Sequence, residues 1–193
     1  MKRVCVYCGS NPGVLPQYRQ AAEDLGNALA AQNIGLVYGG YGEGLMGVVS
    51  GAVLAQGGSV CGVTPRGLFG GGQRPTPNAQ LIEVEDMHAR KQKMMQLADA
   101  FIALPGGVGT YEELFETFSW AQLGLHQKPI GLLNIAGFFD PLLAMLRHTA
   151  EQGFMGQQAL GRLLVFEEPR LLLQQLAVAM PTIQLPGEIH QRG

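Results

Sequence analysis

Two glycine-rich turns, a basic pair and a pair of carboxylates hold most of the reactive potential of this 193-residue chain. Gly39 and Gly40 lead into Gly42, Gly44 and Gly47, a G-x-G-x-x-G at the end of an apolar segment, and Pro105-Gly106-Gly107-Val108-Gly109-Thr110 follows another. A glycine turn that opens a helix leaves the first backbone N–H groups unpartnered, and the helix dipole adds to their attraction for an anion. Phosphate binding is the chemistry these turns point to, with a purely steric use of the glycines as the alternative. The short turn Gly9-Ser10-Asn11 either donates hydrogen bonds to the same phosphate or is simply a turn. A dinucleotide site wants an acidic residue about 20 positions on to hold the ribose. The next strand ends in Val63-Thr64-Pro65-Arg66 instead, where Arg66 could meet only a 2′-phosphate.

The charged candidates sit on two helical stretches. With about 100° per residue counted from Met87, Met94, Met95, Leu97 and Ala98 fall on one side, and Arg90 and Lys91 fall among them. Gln92, Lys93 and Gln96 lie outside that side. Two cations facing an interior need an anionic partner, unless their stems run past the apolar side chains to solvent. In the stretch after Thr110, Leu114, Phe115, Phe118 and Ala121 lie on one side, and Glu113, Glu116, Thr117 and Trp120 share the other. Two carboxylates one turn apart therefore look in one direction, with Glu112 turned away to solvent. Thr110-x-x-Glu113 is also the pattern of a capping box, in which the glutamate only reaches back to a backbone N–H. On these residues alone, catalysis and capping stay equally open for Glu113.

The elements that must position these groups follow from the apolar segments. Residues 3–8, 35–39, 59–64, 99–104, 128–134 and 162–166 read as six strands of the buried kind, with helices in the intervals. Tyr18, Ala21, Ala22, Leu25 and Leu29 mark the apolar side of the first helix, and the stretch from Leu45 to Gln56 is apolar nearly all round. Alternation of this kind predicts an α/β fold, a Rossmann-like, doubly wound, mainly parallel sheet flanked by helices. The sites of such sheets gather at the carboxyl ends of the strands, where both glycine turns fall. Residues 65–80 form a long Pro/Gly-rich loop, either a binding loop or disorder. We expect one nucleotide-binding domain over residues 1–180 and a polar tail over 181–193, frayed or lying on a neighbour.

Composition narrows the function. Only 15% of residues are charged while 47% are hydrophobic, so part of the surface is expected to be covered by another subunit. A net charge of −2 with no basic block excludes nucleic acid as partner. No apolar run is long enough to span a membrane, and MKRVCVYCGS reads as a strand rather than a leader, which places the protein in the cytoplasm. Cys5 and Cys8 form a C-x-x-C, but on a strand they point to opposite faces and no second pair or nearby histidine completes a zinc site. With four scattered histidines, neither a metal nor another cofactor is expected.

PGGVGTYEE at 105–113 resembles the PGGxGTxxE signature of the LOG ("Lonely guy") family, often mislabelled lysine decarboxylases. The resemblance extends through GGYGEGLMG, DMHARKQKM, DAFIALPGG and TFSWAQLGLHQKPIGLLN, and so covers most of the chain from Tyr7 to about Gly153. It implies a homodimer that hydrolyses the N-glycosidic bond of nucleoside 5′-monophosphates, with Arg90 and Glu113 as catalytic residues. Lys91, Gly107, Gly109 and Thr110 match nucleotide-contacting positions, and we add Ser10, Gly40, Gly42, Gly44, Met87, Gly106 and Glu116 as substrate contacts. Ser119 stands where plant members carry threonine, and the 65–80 loop shares little with theirs. The choice between AMP and a prenylated adenine nucleotide therefore stays open.

Cleaving the ribose–base bond builds positive charge on the sugar and negative charge on the leaving base. Glu113 would stabilise the cation and orient or deprotonate water, while Arg90 would hold substrate or stabilise the base. Three rivals stand beside this reading. A PLP-dependent decarboxylase lacks a lysine in a strand-end setting, since Lys2, Lys91, Lys93 and Lys128 are the only lysines. A non-catalytic nucleotide or cofactor carrier would use the same phosphate turns. An NADP-dependent enzyme would use Arg66.

Overall fold

The computed structural model describes residues 1–67 and 74–181. Seven strands, β1 (Arg3–Tyr7), β2 (Gly35–Tyr38), β3 (Val60–Pro65), β4 (Gln80–Val84), β5 (Ala100–Ala103), β6 (Ile130–Leu133) and β7 (Leu163–Phe166), lie in the order β4-β3-β2-β1-β5-β6-β7. Every neighbouring pair is parallel. The crossovers are α1 (Pro16–Ala31), α2 (Gly44–Ala55), α3 (Met87–Leu97), α4 (Val108–Gln122), α5 (Asp140–Glu151), α6 (Gln157–Leu160) and a closing α7 (Pro169–Val178).

The period of two along each strand divides the core into layers. Val4 and Val6 of β1 face α1, α2 and α7, where Ala22, Leu25, Leu29, Val49 and Leu172 are buried. Cys5 and Tyr7 face the other way, against α3, α4 and α5, with Met94, Leu114, Phe118 and Leu146. Parallel strands covered on both faces carry continuous apolar runs, which is why RVCVY and AFIA read as strands without alternation. Cys5 and Cys8 lie in different layers as free, buried thiols, as expected of three-residue spacing on an extended chain.

The architecture is the doubly wound, parallel α/β fold that the alternation predicts, with one additional strand. β4 was expected to be part of the region between loop and helix, and DAFIAL is the fifth strand rather than the fourth. QLIEV pairs only with β3 at the sheet edge, and three of its five residues are exposed. An edge strand with one wet side carries too little apolar signal to stand out from a loop. Within the expected 65–80 loop, residues 68–73 lie outside the described part, as does the expected tail from residue 182 on.

Candidate active site

From β1 the chain winds outward through β2, β3 and β4, then returns to the other side of β1 as β5. The crevice at this reversal, beyond the carboxyl ends of β1 and β5, is where such sheets bind ligands. The two strand ends are tied together by the Gly9 N–H, which donates to the Pro105 carbonyl at 3.0 Å. A side chain at Gly106 would collide with Thr110 and with the Gly9 amide, so the second turn closes only on glycine.

The two helix starts at this crevice differ. At α2, the amides of Leu45 and Met46 donate to the Gly9 carbonyl at 3.0 and 3.3 Å. Gly42 donates to the Arg74 carbonyl at 2.9 Å, and Gly44, at φ +59°, lies against the Ser10 carbonyl with no room for a Cβ. For Gly42, Gly44 and Gly47 the steric alternative therefore describes the geometry, and Gly40, Gly42 and Gly44 are not among the walls of the cleft beside them. At α4, the Tyr111 amide already bonds back to Gly107, but no acceptor among the described residues meets the N–H groups of Val108, Gly109 and Thr110. Gly107 and Gly109 are exposed, and a Cβ on either would meet nothing within 4 Å. Nothing inside the described chain requires glycine there. The space they leave open faces the start of α4, which of the two helix starts at this crevice is the one free to hold an anion.

That start forms one wall of a cleft of about 230 Å³, whose other walls are Cys8, Gly9, Ser10, Met46, Arg90 and Glu113. Arg90 arrives on α3, which begins where the Asp86 carboxylate caps it by accepting the Ala89 N–H at 2.8 Å. Its Nε donates to the Val63 carbonyl at 2.9 Å and its Nη1 to Glu113 Oε1 at 2.8 Å. Nη2 lies against Gly39, where a Cβ would clash with it, and has no acceptor among the described residues. Both side chains of the ion pair are about nine-tenths buried, with exposures of 8% and 10%. Burial pushes the Glu113 carboxyl above its ordinary pKa, an effect that the Arg90 guanidinium opposes without cancelling. The Cys8 thiol is pushed up by burial and by the Glu113 charge, so it is a wall and not a nucleophile.

The capping alternative for Glu113 does not survive the geometry. Helix α4 starts at Val108 with Gly107 as its N-cap, so Thr110 lies within the first turn and Glu113 beyond reach of the cap amide. The Glu113 carboxylate is given to Arg90. Lys91 takes a different path, to Glu112 Oε1 at 2.6 Å and Glu116 Oε1 at 3.2 Å, and the Glu112 hydrogen bond raises its pKa most. Glu112 was expected to point away into solvent; it is half-exposed, yet it holds Lys91. The helical count placed it beyond the Glu113 face but could not show that α3 runs beside it. Lys91, Glu116 and Met87 are not among the walls of the Glu113 cleft, and Glu116 instead borders a neighbouring cleft with Asp86, His88 and Trp120. In the sequence Gly9 and Gly39 read only as parts of their turns, and neither they nor Cys8 and Met46 are named there as site residues. Gly9 and Gly39 both carry a signal, as glycines that open turns at strand ends.

A family model described as "Possible lysine decarboxylase" matches residues 46–176. The probable cytokinin riboside 5′-monophosphate phosphoribohydrolase LOGL2 of Oryza sativa subsp. japonica is 46% identical over 180 residues, 93% of this chain and 74% of that protein. The cytokinin riboside 5′-monophosphate phosphoribohydrolase LOG7 of Arabidopsis thaliana is 46% identical over 175 residues, 91% of this chain and 81% of its own. The chain belongs to the LOG family. The stretch matched by the LOG family model contains Arg90, the open turn of α4 and Glu113, while the Gly9 turn precedes it. Among solved structures, the molybdenum cofactor binding protein of Rippkaea orientalis superposes with a TM-score of 0.68 at 20% identity, covering 92% of this chain and 97% of its own. At that identity the likeness is one of fold, and this LOG family chain shares its doubly wound sheet.

Proposed function

We propose that the protein hydrolyses the N-glycosidic bond of adenine nucleoside 5′-monophosphates, AMP or its N6-substituted forms, releasing the free base and ribose 5-phosphate. The observation that carries this reading is a buried carboxylate, Glu113, held by Arg90 in the same cleft as a helix N-terminus whose first amides have no acceptor among the described residues. The amides of Val108, Gly109 and Thr110 receive the 5′-phosphate, with Ser10 opposite. Glu113 lies one turn further along α4, beside the ribose of a nucleotide anchored in this way. As the C1′–N9 bond breaks, its electron pair leaves with the base and the ionised carboxylate stabilises the ribosyl cation. The same carboxylate takes a proton from the water that adds to C1′, and a proton returns to the base. Arg90 keeps Glu113 in place and offers Nη2 to the substrate. Remote phosphate contacts supply binding energy that positions the reacting centre. A carrier needs the phosphate turn but has no use for a carboxylate held in a dry wall, and the named relatives are hydrolases.

The low charge fraction supports a homodimer, and the protein is proposed to act in the cytoplasm. No helix among the described residues is long and apolar enough to cross a membrane. Incubation with AMP and with an N6-prenylated AMP, followed by chromatography, should yield free base and ribose 5-phosphate. Adenosine should react far more slowly, because it forfeits the phosphate contacts. Absence of free base from both nucleotides overturns the proposal, and equal rates on AMP and adenosine overturn the phosphate assignment.

A further inference from the structure

A second cleft, of about 270 Å³, opens on the far side of the phosphate turn. It shares Gly9, Ser10 and Gly107 with the Glu113 cleft but includes neither Arg90 nor Glu113. Its remaining walls are largely apolar, with Pro12, Tyr18, Leu45 and Phe138, and no charged side chain lines it among the described residues. Tyr18 meets Phe138 edge-on at 5.7 Å between ring centres, and Phe138 stacks on Tyr111 at 6.5 Å. Val14 and Val108, 93% and 85% exposed, directly follow Gly13 and Gly107, two residues of this cleft.

The order of groups in a nucleotide decides what this space can hold. Phosphate, ribose and base follow one another, and Glu113 marks the ribose on one side of the turn. The second cleft therefore lies beyond the 5′ end of the nucleotide, where only a substituent on the phosphate can reach. Without a cation it does not suit a second phosphate, whose charge would go unpaired. Its aromatic and aliphatic walls suit an uncharged planar or apolar group. We infer that this cleft is a subsite for an aromatic or apolar group esterified to the 5′-phosphate, so that the protein binds nucleotide phosphodiesters of that class. The inference rests on the phosphoribohydrolase reading, which sets the direction of the nucleotide.

Calorimetry with the full chain can compare the methyl and phenyl esters of AMP, which carry the same charge and differ only in the group beyond the phosphate. The phenyl ester should bind about tenfold more tightly than the methyl ester. The preference should disappear in Phe138→Ala and persist in Phe138→Leu, with melting curves confirming that each variant is folded. If AMP yields free adenine while the two esters bind equally to the wild type, the subsite is refuted and the catalytic reading stands. A phenyl preference that survives in folded Phe138→Ala refutes the location. Failure to release adenine from any nucleotide refutes the reading beneath both. Should Phe138→Ala fail to fold, equal or unequal binding of the two esters to the wild type still decides the matter.

Discussion

The proposed reaction concentrates its chemistry in one side chain, Glu113. Its carboxyl titrates above the ordinary value of 4.5, because burial outweighs the Arg90 charge. Turnover that needs the ionised form should therefore fall on acidification at a pH above 4.5, and the acidic limb of kcat/KM should mark that point. Glu113→Gln keeps the length of the side chain and an acceptor for Arg90 Nη1, but removes the charge that faces the ribosyl cation. It should lower kcat by roughly 10²-fold or more and abolish the acidic limb, with AMP affinity little changed. The melting temperature should fall, since the substitution leaves the buried Arg90 guanidinium without its counter-charge. Retained turnover would move the carboxylate role elsewhere on α4, to Glu116.

Helix α4 joins the site to the sheet at both ends. At its start, Gly109→Ala meets no atom of the described chain and is a better helix former, so stability should hold or rise by about 0.5–1 kcal/mol. The added methyl group occupies the approach to the free amides, and the KM for AMP should rise roughly tenfold. Gly44→Ala is the contrasting case. At φ +59° and against the Ser10 carbonyl it should cost about 1–2 kcal/mol or more, read as a lower melting temperature. Near its far end, His126 Nε2 donates to the Thr117 carbonyl at 2.9 Å, while Nδ1 accepts the Lys128 N–H at 3.2 Å. Only the neutral ring makes both bonds, and burial holds its pKa below the ordinary 6.5. The unfolded chain therefore takes up the proton first, so this contribution is present above pH 6.5 and lost as pH falls toward the depressed value. Melting curves through that window should show the loss in the wild type and a flatter dependence in His126→Gln.

Across the whole molecule, a 20.6 kDa chain with 15% charged residues leaves apolar side chains in water. Leu123 and Leu125 after α4 and Phe154 after α5 are 71%, 66% and 86% exposed. A second copy that covers such surface resembles a divided core and persists at low concentration. Light scattering at micromolar protein should give twice the 20.6 kDa chain mass, and a value near the single-chain mass would rule the dimer out. In the proposed reaction, phosphate held at the α4 turn would help the chemistry at Glu113 because one helix, α4, carries both.

What was legible in the chain by itself is whatever depends on local pattern. Apolar runs such as RVCVY and AFIA announce buried parallel strands, and period 3.6 turns Arg90 and Lys91 inward with their need for anions. The PGGVGTYEE segment carries its own resemblance, and its Glu113 has only to stay on its helix. The exposed edge strand β4 was missed because QLIEV buries little and looks like loop. Tertiary structure alone decided which glycine turn is open. Both have the same local pattern, but the Gly9 carbonyl, brought from β1, occupies the amides at the start of α2 and leaves those of α4 free. It also decided between cap and ion pair for Glu113, because the arginine 23 residues away arrives at 2.8 Å. Sequence specifies a face by periodicity, but what stands opposite that face is set by the crossover of α3 beneath β3, β2 and β1, a long-range packing that no local pattern encodes.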